Sequence, residues 1–261
     1  MTVTLYAVVF TAGSISASRA GAWPQPQAQT TLISRITTTT APNAFGPGGQ
    51  VVGDADFEKT EIEAHVEYGW RETVTLLAKP TLQHTIVGSQ RRTGLATIET
   101  GARARLHVFE EDQSVLSGQV SLILPMREHD QNNPLITSGH TDIDVRLLNG
   151  VPGTLLGWPD FGDSQLAYRH RGGGAPDEIR LDMTYGVHVN PDWTLTTQSF
   201  TVLTVGEARP PFQHFISQKV QLSVRWQFES GKHIEFGGVR TLSGMRTVRE
   251  SGAFLSLWTS F

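Results

Sequence analysis

The chain is 261 residues long, 38% hydrophobic and 18% charged, with a formal net charge of −4 and no cysteine. These values fit one large folded domain and exclude a disordered chain, a helical membrane bundle, a disulfide scaffold and any thiol or thiolate chemistry. The mild negative charge speaks against a nucleic-acid partner. Past the N-terminus no run of about eighteen apolar residues occurs, so no helix is expected to cross a membrane. A barrel strand shows lipid only every second residue and is untouched by that test.

The first element is a short apolar stretch at 5–13, followed by small residues and Ala20-Gly21-Ala22. An apolar core ahead of an A-x-A box has the form of a secretory leader. No Lys or Arg precedes the apolar stretch, however, and Arg19 follows it. Residues 1–22 are therefore expected to be a signal peptide and 23–261 the mature domain. Pro24 and Pro26 mark 23–29 as a short extended entry into that domain.

Beyond this point the dominant signal is alternation. Residues 60–70 set Ile62, Ala64, Val66, Tyr68 and Trp70 against Glu61, Glu63, His65 and Glu67. Residues 96–108 set Ile98, Ala102, Ala104, Leu106 and Val108 against Glu99, Arg103, Arg105 and His107. Leu181, Met183, Tyr185 and Val187 oppose Arg180, Asp182, Thr184 and His188, and Val220, Leu222, Val224 and Trp226 oppose Gln221, Ser223, Arg225 and Gln227. Only a strand sorts residues this way, since its side chains point to opposite faces in turn. Strands are expected near 29–41, 57–70, 73–87, 94–109, 114–127, 140–149, 159–171, 177–189, 193–206, 215–229, 232–242 and 250–261. Their length, about ten residues, matches a tilted crossing of a bilayer and exceeds the about five or six of a soluble strand.

The connections alternate in kind. Tight turns are expected at 69–72, 110–113, 190–192 and 229–232, and longer Gly- and Pro-rich loops at 43–56, 127–139, 170–177 and 207–212. Short turns at one end and long loops at the other, with aromatics such as Trp70, Trp193, Trp226 and Trp258 near the turns, are the pattern of an outer-membrane barrel. The segment 150–159, with Pro152, Gly153 and Pro159, breaks the pattern and reads as a longer excursion. The expected fold is all-β, a transmembrane antiparallel barrel of about twelve strands, with ten or fourteen as alternatives.

If the apolar faces meet lipid, the polar faces line the interior. The expected pore lining is Glu61, Glu63, His65, Glu67, Lys79, Glu99, Arg103, Arg105, His107, Asp142, Asp144, Arg146, Arg180, Asp182, His188 and Arg225, with Glu235 on the same pattern. Charges of both signs either pair across the interior and fill it or leave a narrow path with a field across it. Glu63, His65 and Glu67 share a face at a spacing that would suit a divalent ion, but a charged wall is the simpler reading. His140 with Asp142 or Asp144 shows no nucleophile motif, so neither catalysis nor a cofactor is expected. Gln90-Arg91-Arg92 falls at the outer end, where guanidinium groups would meet lipopolysaccharide phosphates.

The chain ends on Leu255-Ser256-Leu257-Trp258-Thr259-Ser260-Phe261. This resembles the C-terminal signature of proteobacterial outer-membrane proteins, which implies delivery to the bacterial outer membrane and recognition by the barrel-assembly machinery; Thr259 is more polar than the usual occupant. Gly94-Leu95-Ala96, leading into Gly101-Ala102-Arg103-Ala104-Arg105-Leu106, resembles a strand of the transporter-like barrels of the MetA-pathway phenol-degradation family. Ala96-Thr97 stands there in place of a Gly-Asp pair and Ala104 in place of a Tyr, and 138–147 with Asp142 and Asp144 is a second partial match. The resemblance implies a passive or gated conduit for small molecules, of the hydrophobic or aromatic kind. A non-conducting structural or adhesion barrel is the alternative, and a barrel-embedded lipid hydrolase a third reading.

Overall fold

The computed structural model describes residues 21–126, 139–210 and 212–261, apart from the side chain of Asp54. The expected leader up to Ala20, and the expected loop up to Ser138, lie outside the described residues.

Thirteen strands occur among the described residues: β1 (Thr30–Phe45), β2 (Val51–Arg71), β3 (Val74–Val87), β4 (Gln90–Val108), β5 (Val115–Pro125), β6 (Asp142–Leu155), β7 (Trp158–His170), β8 (Asp177–His188), β9 (Trp193–Val205), β10 (Ile216–Glu229), β11 (Lys232–Met245), β12 (Thr247–Val248) and β13 (Ser251–Ser260). Each pairs antiparallel with its neighbours, and β1 pairs with both β2 and β13. The sheet therefore closes on itself. The two-residue β12 pairs only with the far end of β1, so the barrel has twelve staves.

The distribution of side chains is inside out relative to a water-soluble protein. Leu76, Leu122, Leu147, Leu166, Leu181, Leu222 and Leu255 are exposed on the outer wall, Leu222 to 65%. Thr75, Ser121, Thr241 and Asp144 are buried within, as is Glu67 at 1% exposure. Water would penalise such a surface and hydrocarbon would not, which is the arrangement a bilayer selects. Trp193 and Trp226 stack at 5.9 Å near the turn end, the same end as Trp70, Trp158 and Phe228. Aromatics collected at that level form an interfacial girdle.

At the end that carries both termini the connections are short. One of them, 109–114, is tied by the Phe109 amide to the Ser114 carbonyl and by Asp112, whose carboxylate accepts the Ser114 amide at 3.0 Å. That hydrogen bonding holds the exposed Asp112 carboxyl below its ordinary value.

Two expected irregularities are regular. The segment 150–159 is not an excursion: β6 runs to Leu155, β7 begins at Trp158, and the pair between them is the whole turn. Leu156 (φ 52°) and Gly157 (φ 88°) are both left-handed, as a tight hairpin turn demands. Pro152 is tolerated because β6 outruns β5, whose last pairing is Val115 with Gly150, leaving one edge of β6 without a neighbour. Likewise 43–56 is mostly strand. β1 and β2 continue past a bulge at Ala41/Asn43 to a turn at 46–50, so its Asn, Gly and Pro content marks a hairpin tip and not a long loop.

Candidate functional site within the barrel

The inward faces enclose a cavity of about 360 Å³. Eleven of the expected inward residues line it: Glu63, His65, Glu67, Lys79, Glu99, Arg103, Arg146, Arg180, Asp182, Arg225 and Glu235. They are tied to one another. Arg103 meets Glu67 with both terminal nitrogens, at 3.1 and 2.9 Å, and His65 Nε2 stands 3.2 Å from the same carboxylate. Lys79 lies between Glu99 at 3.3 Å and Glu63 at 3.7 Å. Across the lumen Arg146 bridges Asp144 at 3.3 Å and Asp182 at 2.7 Å, while Arg169 takes the other oxygen of Asp144 at 3.1 Å. Between these walls Thr184, Thr196, Gln198 and Phe200 form an uncharged strip on β8 and β9.

The remaining expected residues lie elsewhere. Glu61 faces inward beside Lys59 at 3.0 Å, and Asp142 is buried next to Arg171. Asp144 sits behind its two arginines rather than on the cavity wall. His188 sits against Thr194 and beside the Phe161 ring. Arg105 pairs with Ser117, on the inward side. His107 does not face the lumen. A bulge after Arg105 places it opposite Leu116, on the outer wall, with its ring edge-on to Phe109. One inserted residue moves every following side chain to the other face, which strict alternation could not foresee.

Glu63, His65 and Glu67 do not converge as a metal ligand set, because the Glu67 carboxylate is engaged by Arg103. Among the described residues no group of three or more His, Asp or Glu is so arranged.

Several lining residues escaped the sequence reading. Arg35 lies 3.7 Å above the Phe254 ring and donates to Gln221 at 3.0 Å. Arg169, Phe161 and Asp163 also line the cavity, and so does Trp258, which is expected in the aromatic girdle and instead faces inward and donates to Glu235 at 3.0 Å. Arg35 sits on a Thr-rich strand whose inward face also carries Ile33, so its two faces do not separate by polarity.

The largest unexpected feature is the floor. Residues 21–28 enter the barrel at the turn end instead of lying along its rim. Ser117 Oγ donates to the Ala22 carbonyl at 2.5 Å, Arg103 to the Trp23 carbonyl at 3.2 Å, and Gln25 Nε2 to Glu67 at 2.8 Å. The Gln25 amide donates to Thr75 at 2.8 Å, and the Trp23 ring sits edge-on to Phe161 at 6.4 Å. The segment has no period of its own in Ala22-Trp23-Pro24-Gln25-Pro26-Gln27, so nothing in it announces an interior position. The chain leaves this seat through the pair between Ala28 and Gly69 and enters β1.

A closed twelve-stave barrel with an apolar outer wall and a polar lumen defines the class: an outer-membrane-type β-barrel with a channel-like fold. No family model matches the chain, and no curated protein does. Among solved structures the fold is similar to an outer membrane channel from Pseudomonas putida F1, with a TM-score of 0.70 at 13% identity over 93% of this chain and 99% of that one. It is similar also to the NanC porin, at TM-score 0.57 and 9% identity over 87% and 98% of the two chains. The translocator domain of the autotransporter NalP from Neisseria meningitidis follows at 0.55 and 10%, over 91% and 90%.

Proposed function

We propose that this protein is a narrow conduit for small molecules in the bacterial outer membrane. The observation that carries the reading is the cavity itself. A barrel of this width keeps about 360 Å³ open although many of its inward charges are paired. Closed ion pairs leave no ring of one sign to select a strongly charged solute. The cavity also offers Phe161, Phe200, Trp258 and Leu148 as contact surface. Those rings, with the partial MetA-pathway resemblance of Gly94 to Leu106, support small hydrophobic or aromatic solutes as cargo. The similarity of fold to an outer membrane channel and a porin points the same way. Arg91 and Arg92, at the end away from the termini, are the groups we assign to lipopolysaccharide contact, and the strand ending at Phe261 to the assembly machinery.

The test is conductance in planar bilayers, with folding verified by a boiled-versus-unboiled gel shift. Small, discrete steps are expected from the intact barrel. A variant lacking residues 21–28 should give steps several-fold larger, because the floor is gone. The paired charges and the seated segment favour one second reading, a closed structural barrel. Silence from both proteins, each shown to be folded, would establish that reading and end the conduit proposal.

A further inference from the structure

Asp163, on β7, is an inward carboxylate with only 3% exposure. Its oxygens accept from two neutral donors, Gln165 Nε2 at 2.5 Å and the Ala22 amide at 2.7 Å. Other buried carboxylates of the lumen are met by full charges: Glu67 by Arg103, Asp144 by Arg146 and Arg169, and Glu250 by Lys219. Among the described residues Asp163 has no ion pair; Arg103 and Arg146 act on it only from a distance, each bound to another carboxylate, and a buried ionised carboxylate without a countercharge in contact is costly. What rests on it is Gly21. This residue is left-handed (φ +119°), and a Cβ there would fall 2.4 Å from Asp163 Oδ2. Only glycine can bring its backbone so close.

The leader offers two cleavage points that end on alanine with a small residue at the other recognition position. One follows Ala22, with Ala20 two residues before it; the other follows Ala20, with Ser18 two residues before it. Cutting after Ala22 would remove the residues that hold Asp163 and Ser117. Cutting after Ala20 would keep both contacts and place a new amino group one bond from the Cα that rests on the carboxylate. We infer that the leader is cut between Ala20 and Gly21 and that the α-ammonium of Gly21 is the missing counter-ion of Asp163, pinning the segment inside the barrel. Hydrolysis of that amide consumes one water, leaves a carboxylate on Ala20, and frees an amine on Gly21 that takes up a proton. This moves the expected mature start from Trp23 to Gly21 and does not depend on whether the barrel conducts.

The experiment uses the full chain, exported and extracted folded from outer membranes. N-terminal sequencing and intact mass should give Gly21 as the first residue; a chain starting at Trp23 overturns the inference. The amine is then labelled near neutral pH with an acylating reagent and the N-terminal peptide quantified. Labelling should be roughly tenfold slower in the folded wild type than in folded Asp163→Asn, as one pKa unit of preference for the ammonium requires. Equal rates overturn the pairing. Should Asp163→Asn fail the gel-shift test, the wild type is compared with a chain carrying one extra alanine before Gly21, which displaces the ammonium. Faster labelling of the extended chain sustains the pairing, and equal rates overturn it.

Discussion

Glu67 is the residue on which β2, β4 and the seated segment 21–28 meet. Its carboxylate accepts from Arg103 twice and from Gln25, with His65 alongside, and of these neighbours only His65 is close to Glu67 in sequence. Replacing one partner strands the other. Glu67→Gln is expected to cost about 3–5 kcal/mol, the range for an orphaned buried charge, read as a lower denaturation midpoint of the lipid-refolded barrel. Pairing it with Arg103→Met should restore much of that loss, and a single-variant cost under about 1 kcal/mol would mean the pair is already solvated. At this scale the sequence is readable where a strand separates its faces cleanly. Glu67 and Arg103 are each flanked by apolar residues on the opposite face (Val66 and Tyr68, Ala102 and Ala104), so alternation assigns them. His107 lies beyond a bulge, Arg35 shares its face with Ile33, and Asp163 is followed by polar residues on both faces; for these three, polarity alone carries no direction.

Among the elements, the β6–β7 hairpin shows why strand centres were legible and strand ends were not. Its body follows period two, but its tip contains Pro152, Gly153 and Pro159, residues that ordinarily end strands. They persist because neighbouring staves stop earlier, and the length of a neighbour is not local information. The turn itself carries a conflict. Leu156 holds φ 52°, a conformation disfavoured for a residue with a Cβ, and its side chain is 91% exposed, so packing does not compensate. Leu156→Gly should therefore stabilise the barrel by about 0.5–1 kcal/mol, offset in part by greater freedom of the unfolded chain. Gly157→Val, at φ 88°, should destabilise it by about 1–2 kcal/mol. Unfolding curves of the two variants should move in opposite directions; a shift in the same direction would refute this account of the turn.

On the scale of the molecule, the ring is closed by the β1–β13 seam, which reaches as far as Phe261. Thr30 and Phe261 exchange both backbone hydrogen bonds, at 2.8 and 3.0 Å, and this pair extends the β1–β13 seam beyond Ser260. The Phe261 side chain is 72% exposed, so its part in the fold is carried by the backbone. Deleting Phe261 should lower the fraction of chains reaching the heat-modifiable form in refolding assays, while chains that do close should keep wild-type conductance. Full recovery of the folded fraction would show the seam to be complete without it. The seam also fixes an order of events. Every other long pairing joins strands consecutive in the chain, or in the case of β11 and β13 separated only by the two-residue β12, so each hairpin can form as soon as its two arms exist. Thr31 and Ser260 meet across 229 positions. The entropy of joining such distant ends grows only logarithmically with length, so distance itself costs little. Waiting is the larger hazard: until the thirteenth strand arrives, the first and last arms of an almost finished sheet both offer bare edges to any passing chain. Crowding and temperature should therefore act on the yield of this protein in the brief interval before the ring shuts, far more than on the finished ring.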